Sequence, residues 1–480
     1  MLKNAKIIAF FTLISRLFGY IRDFFIASYF GTSVYADMFF IVFRMPNSLR
    51  RFLGEGAVNS SVVPVISKLE ESKKPKAIWN IIIIFALVLF VVSVLGVIFS
   101  KGLIALFAAG FLHSDKLSVM DNMTKLTFPY IFFIGLSVLL MGILNTYNRF
   151  SIPAFAPTLL NISIIGSLVF FYSKFTQPVY ALCAGVIIGG ILQLAISFYD
   201  FLKLKLPFEF HFKIEDTTKE IFKLMATTAL GGGIFQLSSM VDAFLASFMA
   251  YGSFSYISYA NRLFQLPFAV FSIALTQSSL VDLSKLKTEE ILPKSSHLIK
   301  FVSLISVFVT LYFIFFGKDV IKLLFEHGEF SSVSTDNTYY ALVFMIFGFF
   351  FFSQTKILSN MFYAIKDVKT PLKASIYAAF SSIVFSIILG LVLGFKGLAL
   401  SMSISGFVNM LVLVFYIKNK MGSLKLSWFV DLSVVIVFVI LIFVSLFIRF
   451  VDINYILRVV LSAFAYIIVF YPFYRKFSHI

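Results

Sequence analysis

Hydrophobic and polar positions along the chain alternate between long apolar runs and short polar breaks. The runs are about 20 residues or more, enough to cross a bilayer as a helix. They can be drawn near 5–30, 34–66, 77–100, 123–147, 153–172, 178–200, 222–250, 254–283, 299–317, 338–364, 371–394, 397–417, 427–448 and 454–474. Fourteen such segments predict an all-α polytopic membrane protein with 14 transmembrane helices. The longest breaks, around 201–221, 284–298 and 318–337, leave no room for an extramembrane domain, so any function is expected inside the helical bundle. Proline and glycine interrupt several runs, notably at Pro46, Pro64, Pro129, Pro157, Gly231 to Gly233 and Pro267. Broken helices at membrane depth are tolerated where they line a cavity.

An even count places both ends on one side. The odd-numbered loops carry only Lys101, Lys116, Lys174, Lys318, Lys322, Lys396 and Arg449, while the even-numbered loops and the ends hold clusters such as Lys68, Lys73, Lys74 and Lys76. The positive-inside rule then predicts that both termini are cytoplasmic.

The pattern also repeats. Asp23-Phe-Phe-Ile-Ala-Ser-Tyr-Phe30 recurs as Asp242-Ala-Phe-Leu-Ala-Ser-Phe-Met249, Pro153 matches Pro371, and Ser67-Lys68 matches Ser284-Lys285, at offsets of 219, 218 and 217. One period covers six helices, an even number, so the halves share an orientation. The expected organisation is two parallel-repeat six-helix lobes, 1–205 and 215–420, with a substrate cavity between them. Two additional transmembrane helices at 427–475 fall outside the duplication.

Composition sharpens this picture. The 480 residues are 60% hydrophobic with 64 phenylalanines, and mean hydropathy is +0.97, far above a soluble domain. The net charge of +17 sits in scattered loops rather than one patch, which argues for a membrane bias and against nucleic acid. One cysteine, Cys183, excludes internal disulfides and cysteine-based metal clusters. Met1 to Lys6 is a signal-like basic start, but Arg16, Arg22 and Asp23 break the following run, so the segment reads as a retained first helix.

The exception to the apolar rule is the stretch Arg16 to Glu55, which holds Arg16, Arg22, Asp23, Asp37, Arg44, Arg50, Arg51 and Glu55. Each charge facing lipid would cost roughly 2.5–3.5 kcal/mol, so these groups must face water, protein or a charged ligand. Arg16 lies roughly 16 Å into the first helix at 1.5 Å per residue. Five arginines against three acids favour an anionic guest, and the guanidinium fork suits phosphate. The opposing reading is internal pairing, Arg22 with Asp37 and Arg51 with Glu55. Asp242, near Ser238, Ser239 and Ser247, could hold Na⁺ or a proton, or pair with Arg262. Lys125, Lys356 and Arg458 read as snorkelling cations near helix ends.

Catalysis finds little support. The five histidines lie in or beside loops, and neither a metal-binding spacing nor a Gly-rich phosphate loop occurs. Asp115, Asp121, Glu326 and Glu329 are the nearest carboxylates for a sugar-nucleotide enzyme, and they read as solvated loop charges. The expectation is a protein that is not an enzyme and has no metal site.

Several motifs then coincide. Ser15-Arg16-Leu-Phe-Gly-Tyr-Ile-Arg22-Asp23, Ala36-Asp37-Met-Phe-Phe, Pro46-Asn47-Ser-Leu-Arg50-Arg51, Gly54-Glu55-Gly-Ala, the run from Asn145 through Arg149, Pro153 and Pro157 to Asn161, and Tyr259-Ala-Asn261-Arg262-Leu-Phe-Gln-Leu-Pro267 together resemble the MurJ (MviN) lipid II flippases of the multidrug/oligosaccharidyl-lipid/polysaccharide exporter superfamily. The resemblance implies a cytoplasmic (inner) membrane location, a cationic central cavity, a C-terminal groove for a polyprenyl tail, and export of undecaprenyl-diphosphate-linked peptidoglycan precursor (lipid II) by alternating access. It implies Arg16, Arg22, Arg50 and Arg262 as cavity arginines, with Asp23, Asp37 and Glu55 as supporting acids, and cell-wall synthesis proteins as partners. Helical spacing alone favours Arg51 facing Glu55, and the resemblance favours Arg50. In some relatives an acid like Asp242 joins residues of the eleventh helix in a sodium site; here the matching positions are Ser382 and Ser386. No cofactor is expected. The driving force is Na⁺ or H⁺ coupling, or membrane potential at about 2.3 kcal/mol per charge per 100 mV. The alternatives are an exporter of O-antigen or capsule precursors and, from a different class, a membrane enzyme acting on polyprenyl-linked sugars.

Overall fold

The computed structural model describes residues 2–54, 57–210, 213–273, 279–280 and 282–477, and within them the chain is helical with no strand. Uninterrupted apolar sequence explains this, because a backbone in hydrocarbon must satisfy its polar groups within the segment. The helices are α1 (Leu2–Phe30), α2 (Val34–Gly54), α3 (Ala57–Lys68), α4 (Lys74–Ile98), α5 (Ser100–Ala108), α6 (Leu117–Thr127), α7 (Tyr130–Thr146), α8 (Ser151–Phe171), α9 (Tyr180–Leu202), α10 (Asp216–Ala246) and α11 (Ser253–Pro267). They continue as α12 (Thr288–Phe325), α13 (Ser332–Ile346), α14 (Gly348–Ala364), α15 (Lys369–Leu393), α16 (Phe395–Lys420), the short α17 (Leu426–Phe429), α18 (Leu432–Phe450) and α19 (Tyr455–Phe477).

Counting α6 with α7 and α13 with α14 as single spans, ten described segments are long and apolar enough to cross a membrane. Of the fourteen expected, the others are α1, α2 with α3, α10, and α11 with its continuation. Those helices carry Arg16, Arg22, Asp23, Asp37, Arg44, Asp242 and Arg262.

Two expected loops are instead mostly helix. The break drawn at 284–298 falls largely within α12, which runs 38 residues from Thr288 to Phe325, and that at 318–337 is shared between the end of α12 and the start of α13. Charged residues such as Lys294, Lys318 and Lys322 end an apolar run without ending a helix, since their side chains reach water from a helix end. The single span expected at 123–147 is divided between Thr127 and Tyr130 at Phe128-Pro129. After α11 the chain passes into a π-helical turn, Phe268–Ile273, directly behind Pro267, which lacks an N–H and disturbs the regular ladder.

The chain forms two compact units, Met1–Phe248 and Met249–Ile480. In the first, α8 lies between α1 and α9, α7 packs on α4 and α9, and α10 packs on α3 and α5. In the second, α16 packs on α14 and α15, α11 packs on α13, and α12 carries both C-terminal helices, α18 and α19.

The repeat is visible in the backbone. Helices α7 and α14 begin at 130 and 348 and end at 146 and 364, while α8 and α15 begin at 151 and 369, so each pair is offset by 218. Helices α9 and α16 end at 202 and 420, again 218 apart. In the matching turns Asn148 and Lys366 both adopt positive φ, 59° and 60°. Left-handed backbone is uncommon for residues other than glycine, so its recurrence at one offset marks the same turn used twice.

Candidate functional site

The charged cluster of the first unit is built on α1 by its neighbour α8. Arg22 is 7% exposed and Asp23 2%. One carboxylate oxygen of Asp23, Oδ1, accepts from Arg22 Nε at 3.0 Å and Nη2 at 2.6 Å. Asn161 reaches across from α8: its Oδ1 accepts from Arg22 Nη1 at 2.9 Å, and its Nδ2 donates to the Ser15 carbonyl at 3.1 Å. Both ends of the amide are thus used, which fixes its orientation and holds the guanidinium plane. The sequence raises Asp37 as a partner for Arg22; the carboxylate that meets its guanidinium here is that of the adjacent Asp23.

Asp37 is 4% exposed in the first turn of α2, where the positive end of the helix dipole favours an anion. Arg44 is half-buried, and its Nη1 donates to the Ser239 carbonyl at 3.0 Å, tying α2 to α10. Arg16 differs from all of these. It is exposed and makes no hydrogen bond or ion pair among the described residues. Six positions separate it from Arg22, so at 3.6 residues per turn the two stems leave α1 about 120° apart. They do not form a simple stripe.

The remaining site residues divide as follows. Arg50 and Arg51 are described by backbone alone, on α2, and Glu55 lies outside the described residues. Arg262 is half-buried on α11 in the second unit. Asp242 is half-buried on α10 in the first unit, whereas Ser382 and Ser386 are buried on α15 in the second. The Ser386 hydroxyl lies 2.6 Å from that of Ser401.

Other charges depart from expectation. Asp121 is no solvated loop charge: it is 6% exposed and accepts from Ser100 Oγ at 2.5 Å and Lys125 Nζ at 2.7 Å. Arg458 does more than snorkel, because it and Arg449 both approach Asp319 of α12, at 3.4 and 3.8 Å. These contacts pin the C-terminal helices to α12. Farther along α12 and α19, roughly 14–21 Å from these contacts at 1.5 Å per residue, lies an apolar cavity of about 240 Å³ lined by Phe271, Ile305, Phe308, Ile467, Phe470 and Tyr471. Asn161 as the clamp on Arg22 was not singled out from the sequence. Its only signal was membership of the Asn145 to Asn161 run.

Known proteins supply the final comparison. The sequence profile of the family described as "Lipid II flippase MurJ" matches residues 26–470. A Buchnera aphidicola protein from Acyrthosiphon pisum, described as a "Probable lipid II flippase MurJ", is 35% identical over 461 residues, covering 93% of this chain and 90% of its own. The "Lipid II flippase MurJ" of Burkholderia cenocepacia is 32% identical, covering 85% and 82%. Among solved structures, "Lipid II flippase MurJ, inward closed conformation" superposes with a TM-score of 0.85 at 29% identity, over 98% of this chain and 99% of that one. An inward-facing multidrug resistance MATE transporter of the MOP superfamily shares the fold, with a TM-score of 0.69 at 17% identity over 87% of this chain and 98% of that one. The helical membrane architecture, the profile match across nearly the whole length and the relatives above 30% identity agree, and the chain belongs to the MurJ lipid II flippase family.

Proposed function

We propose that this chain flips lipid II, the undecaprenyl-diphosphate-linked peptidoglycan precursor, from the cytoplasmic to the outer leaflet by alternating access, with both termini cytoplasmic. The observation that carries the reading is Arg16, an exposed guanidinium within an apolar helix that has no counter-ion among the described residues. Such a group asks for an anion from outside the protein, and a diphosphate matches its paired donors.

In this reading Arg16, Arg22, Arg50 and Arg262 engage the diphosphate, with Asp23, Asp37 and Glu55 holding the arginines in place. Arg22 reaches the substrate already oriented by Asp23 and Asn161, so little side-chain freedom remains to be lost on binding. The apolar cavity beside α12 and α19 accepts part of the polyprenyl tail. Membrane potential acting on the arginines supplies the drive. Sodium through Asp242, Ser382 and Ser386 is the second reading, and replacing external Na⁺ by K⁺ at constant potential separates the two.

The test of function is depletion. Loss of the protein should trap lipid-linked precursor on the cytoplasmic leaflet, and unchanged exposure at the outer surface would refute the proposal. Substrate turnover by the purified chain in detergent would return the enzyme alternative.

A further inference from the structure

Between α9 and α10 the chain runs Leu202-Lys-Leu-Lys-Leu-Pro-Phe-Glu-Phe210, then Lys213-Ile214-Glu215, with apolar side chains at the even positions and three lysines, two glutamates and Pro207 at the odd. Lys205 turns the chain at φ 53°, and in the stretch beyond it, from Leu206 to Phe210, an extended backbone sends Leu206, Phe208 and Phe210 to one face and Glu209 to the other. The segment is non-helical from Lys205 to Phe210, Pro207 biases Leu206 toward extended backbone, and the rings of Phe208 and Phe210, two positions apart, lie side by side at 6.4 Å.

The apolar face is left open. Phe208 is 64% exposed, Phe210 53% and Ile214 47%. Its depth is fixed by α4. Trp79 meets Phe208 edge-on at 4.8 Å, and the fully buried Asn80 donates to the Lys213 carbonyl and accepts from the Glu215 amide and the Thr218 hydroxyl. Lys76 pairs with Glu215 at 2.8 Å. Trp79 and Asn80 lie within about 9 Å of the start of α4 at 1.5 Å per residue, and the segment leaves directly from the end of the α9 span. An apolar ribbon held at the ends of two membrane spans sits where headgroups meet acyl chains.

We infer that residues 204–210, with Lys213 and Ile214, form an interfacial anchor, with Phe208, Phe210 and Ile214 dipping into the acyl boundary and Lys203, Lys205 and Lys213 facing anionic lipid headgroups of the cytoplasmic leaflet. The side of the membrane rests on the orientation proposed above; the insertion does not. Interfacial elements of this kind reach about 5–10 Å below the headgroups. With Glu209 offsetting one of the three lysines, each of the two net charges should give about a fivefold local enrichment of anionic over neutral lipid.

The full chain in lipid nanodiscs provides the test. Cys183 is buried, so Phe210→Cys, or Ile214→Cys where that variant fails to fold, gives one reactive thiol for an environment-sensitive fluorophore. Nitroxide lipids labelled near the glycerol should quench it more strongly than lipids labelled near the acyl end, and both more strongly than aqueous iodide. Nitroxide phosphatidylglycerol should quench more than nitroxide phosphatidylcholine, and Lys203→Gln, Lys205→Gln and Lys213→Gln together should remove that difference. Quenching by iodide alone, or burial against another protein seen as resistance to all quenchers, overturns the anchor. Labelling of Lys205→Cys by an impermeant maleimide in whole cells separately reports which face the segment occupies, so an error in orientation is distinguishable from an error in insertion.

Discussion

The two halves of the repeat solve the same packing problem with opposite charges. In the first unit Arg149, in the turn after α7, pairs with Asp200 near the end of α9 at 2.8 Å. In the second, Asp367 holds the position 218 residues on, and pairs with Lys420 at the end of α16 at 2.5 Å. The turns carry the same positive φ and the helices the same boundaries, so the fold requires an attraction here and is indifferent to its sign. The Arg22 cluster behaves otherwise. At the repeat's offsets Arg22 matches Val241 and its clamp Asn161 matches Ala379. The guanidinium and its amide clamp disappear together, although the acid recurs, Asp23 as Asp242. The repeat therefore acts as an internal control: what recurs in either sign holds the bundle, and what occurs once serves the task.

The strongest way to break this comparison is Arg22→Ala. It strands the buried Asp23, and removing one partner of a buried pair costs about 3–5 kcal/mol. Flippase activity in a complementation assay should be lost together with a large fall in Tm. Arg22→Lys should recover Tm in part while activity stays low, because a point charge cannot reproduce the fork held by Asp23 and Asn161. Retained activity in both variants would assign the cluster to packing.

Arg16→Ala should separate function from stability. The side chain is exposed and touches no counter-ion among the described residues, so stability should stay within about 0.5 kcal/mol of wild type and Tm should barely move. Affinity for a polyprenyl diphosphate should fall about 10- to 100-fold, the loss of a charge-assisted hydrogen bond worth about 1.5–3 kcal/mol. A drop in Tm without weaker binding would move Arg16 into the scaffold.

Much of the architecture could be read from hydropathy because lipid leaves few options: apolar runs of the right length must be helices, and the charged ones had to be special. Helix ends were read less well. Lys318 and Lys322 closed an apolar run that α12 continues through, and Pro129 divided a run that hydropathy saw as one. The choice of partner was the least legible. Arg22 pairs with the neighbouring Asp23 and with Asn161 139 positions away, and no helical periodicity selects either. Neutral asparagine carried no signal in a search for charges, although it sets the guanidinium plane.

A smaller effect sharpens the scaffold side of the comparison. Arg149→Asp alone should destabilise the first unit, and adding Asp200→Lys should restore it by installing the polarity of the second. Because Arg149 is about one-third exposed, the coupling in a double-mutant cycle should be no more than about 1 kcal/mol. No restoration would mean that Arg149 matters through its second contact, to the Asp200 carbonyl.

The smallest effect is a pH dependence at Asp367. Burial raises its pKa, but the Lys420 ammonium and the two hydrogen bonds from Thr370 outweigh burial and hold the carboxyl down at about 2. A carboxylate whose pKa falls on folding adds stability that is complete above its unfolded value, about 4, and is lost as pH falls through the folded one. The difference in Tm between wild type and Asp367→Asn should therefore be constant from pH 7 to about 5, and should shrink only between about pH 4 and 2. Lys420→Met should bring the folded pKa back toward the ordinary range and move that window upward. The Arg149–Asp200 pair supplies the control, since Asp367→Asn leaves it intact and the first unit should show no change in the same window. A difference that varied near neutral pH would mean that another group, and not the sign-reversed pair, sets the stability of this turn.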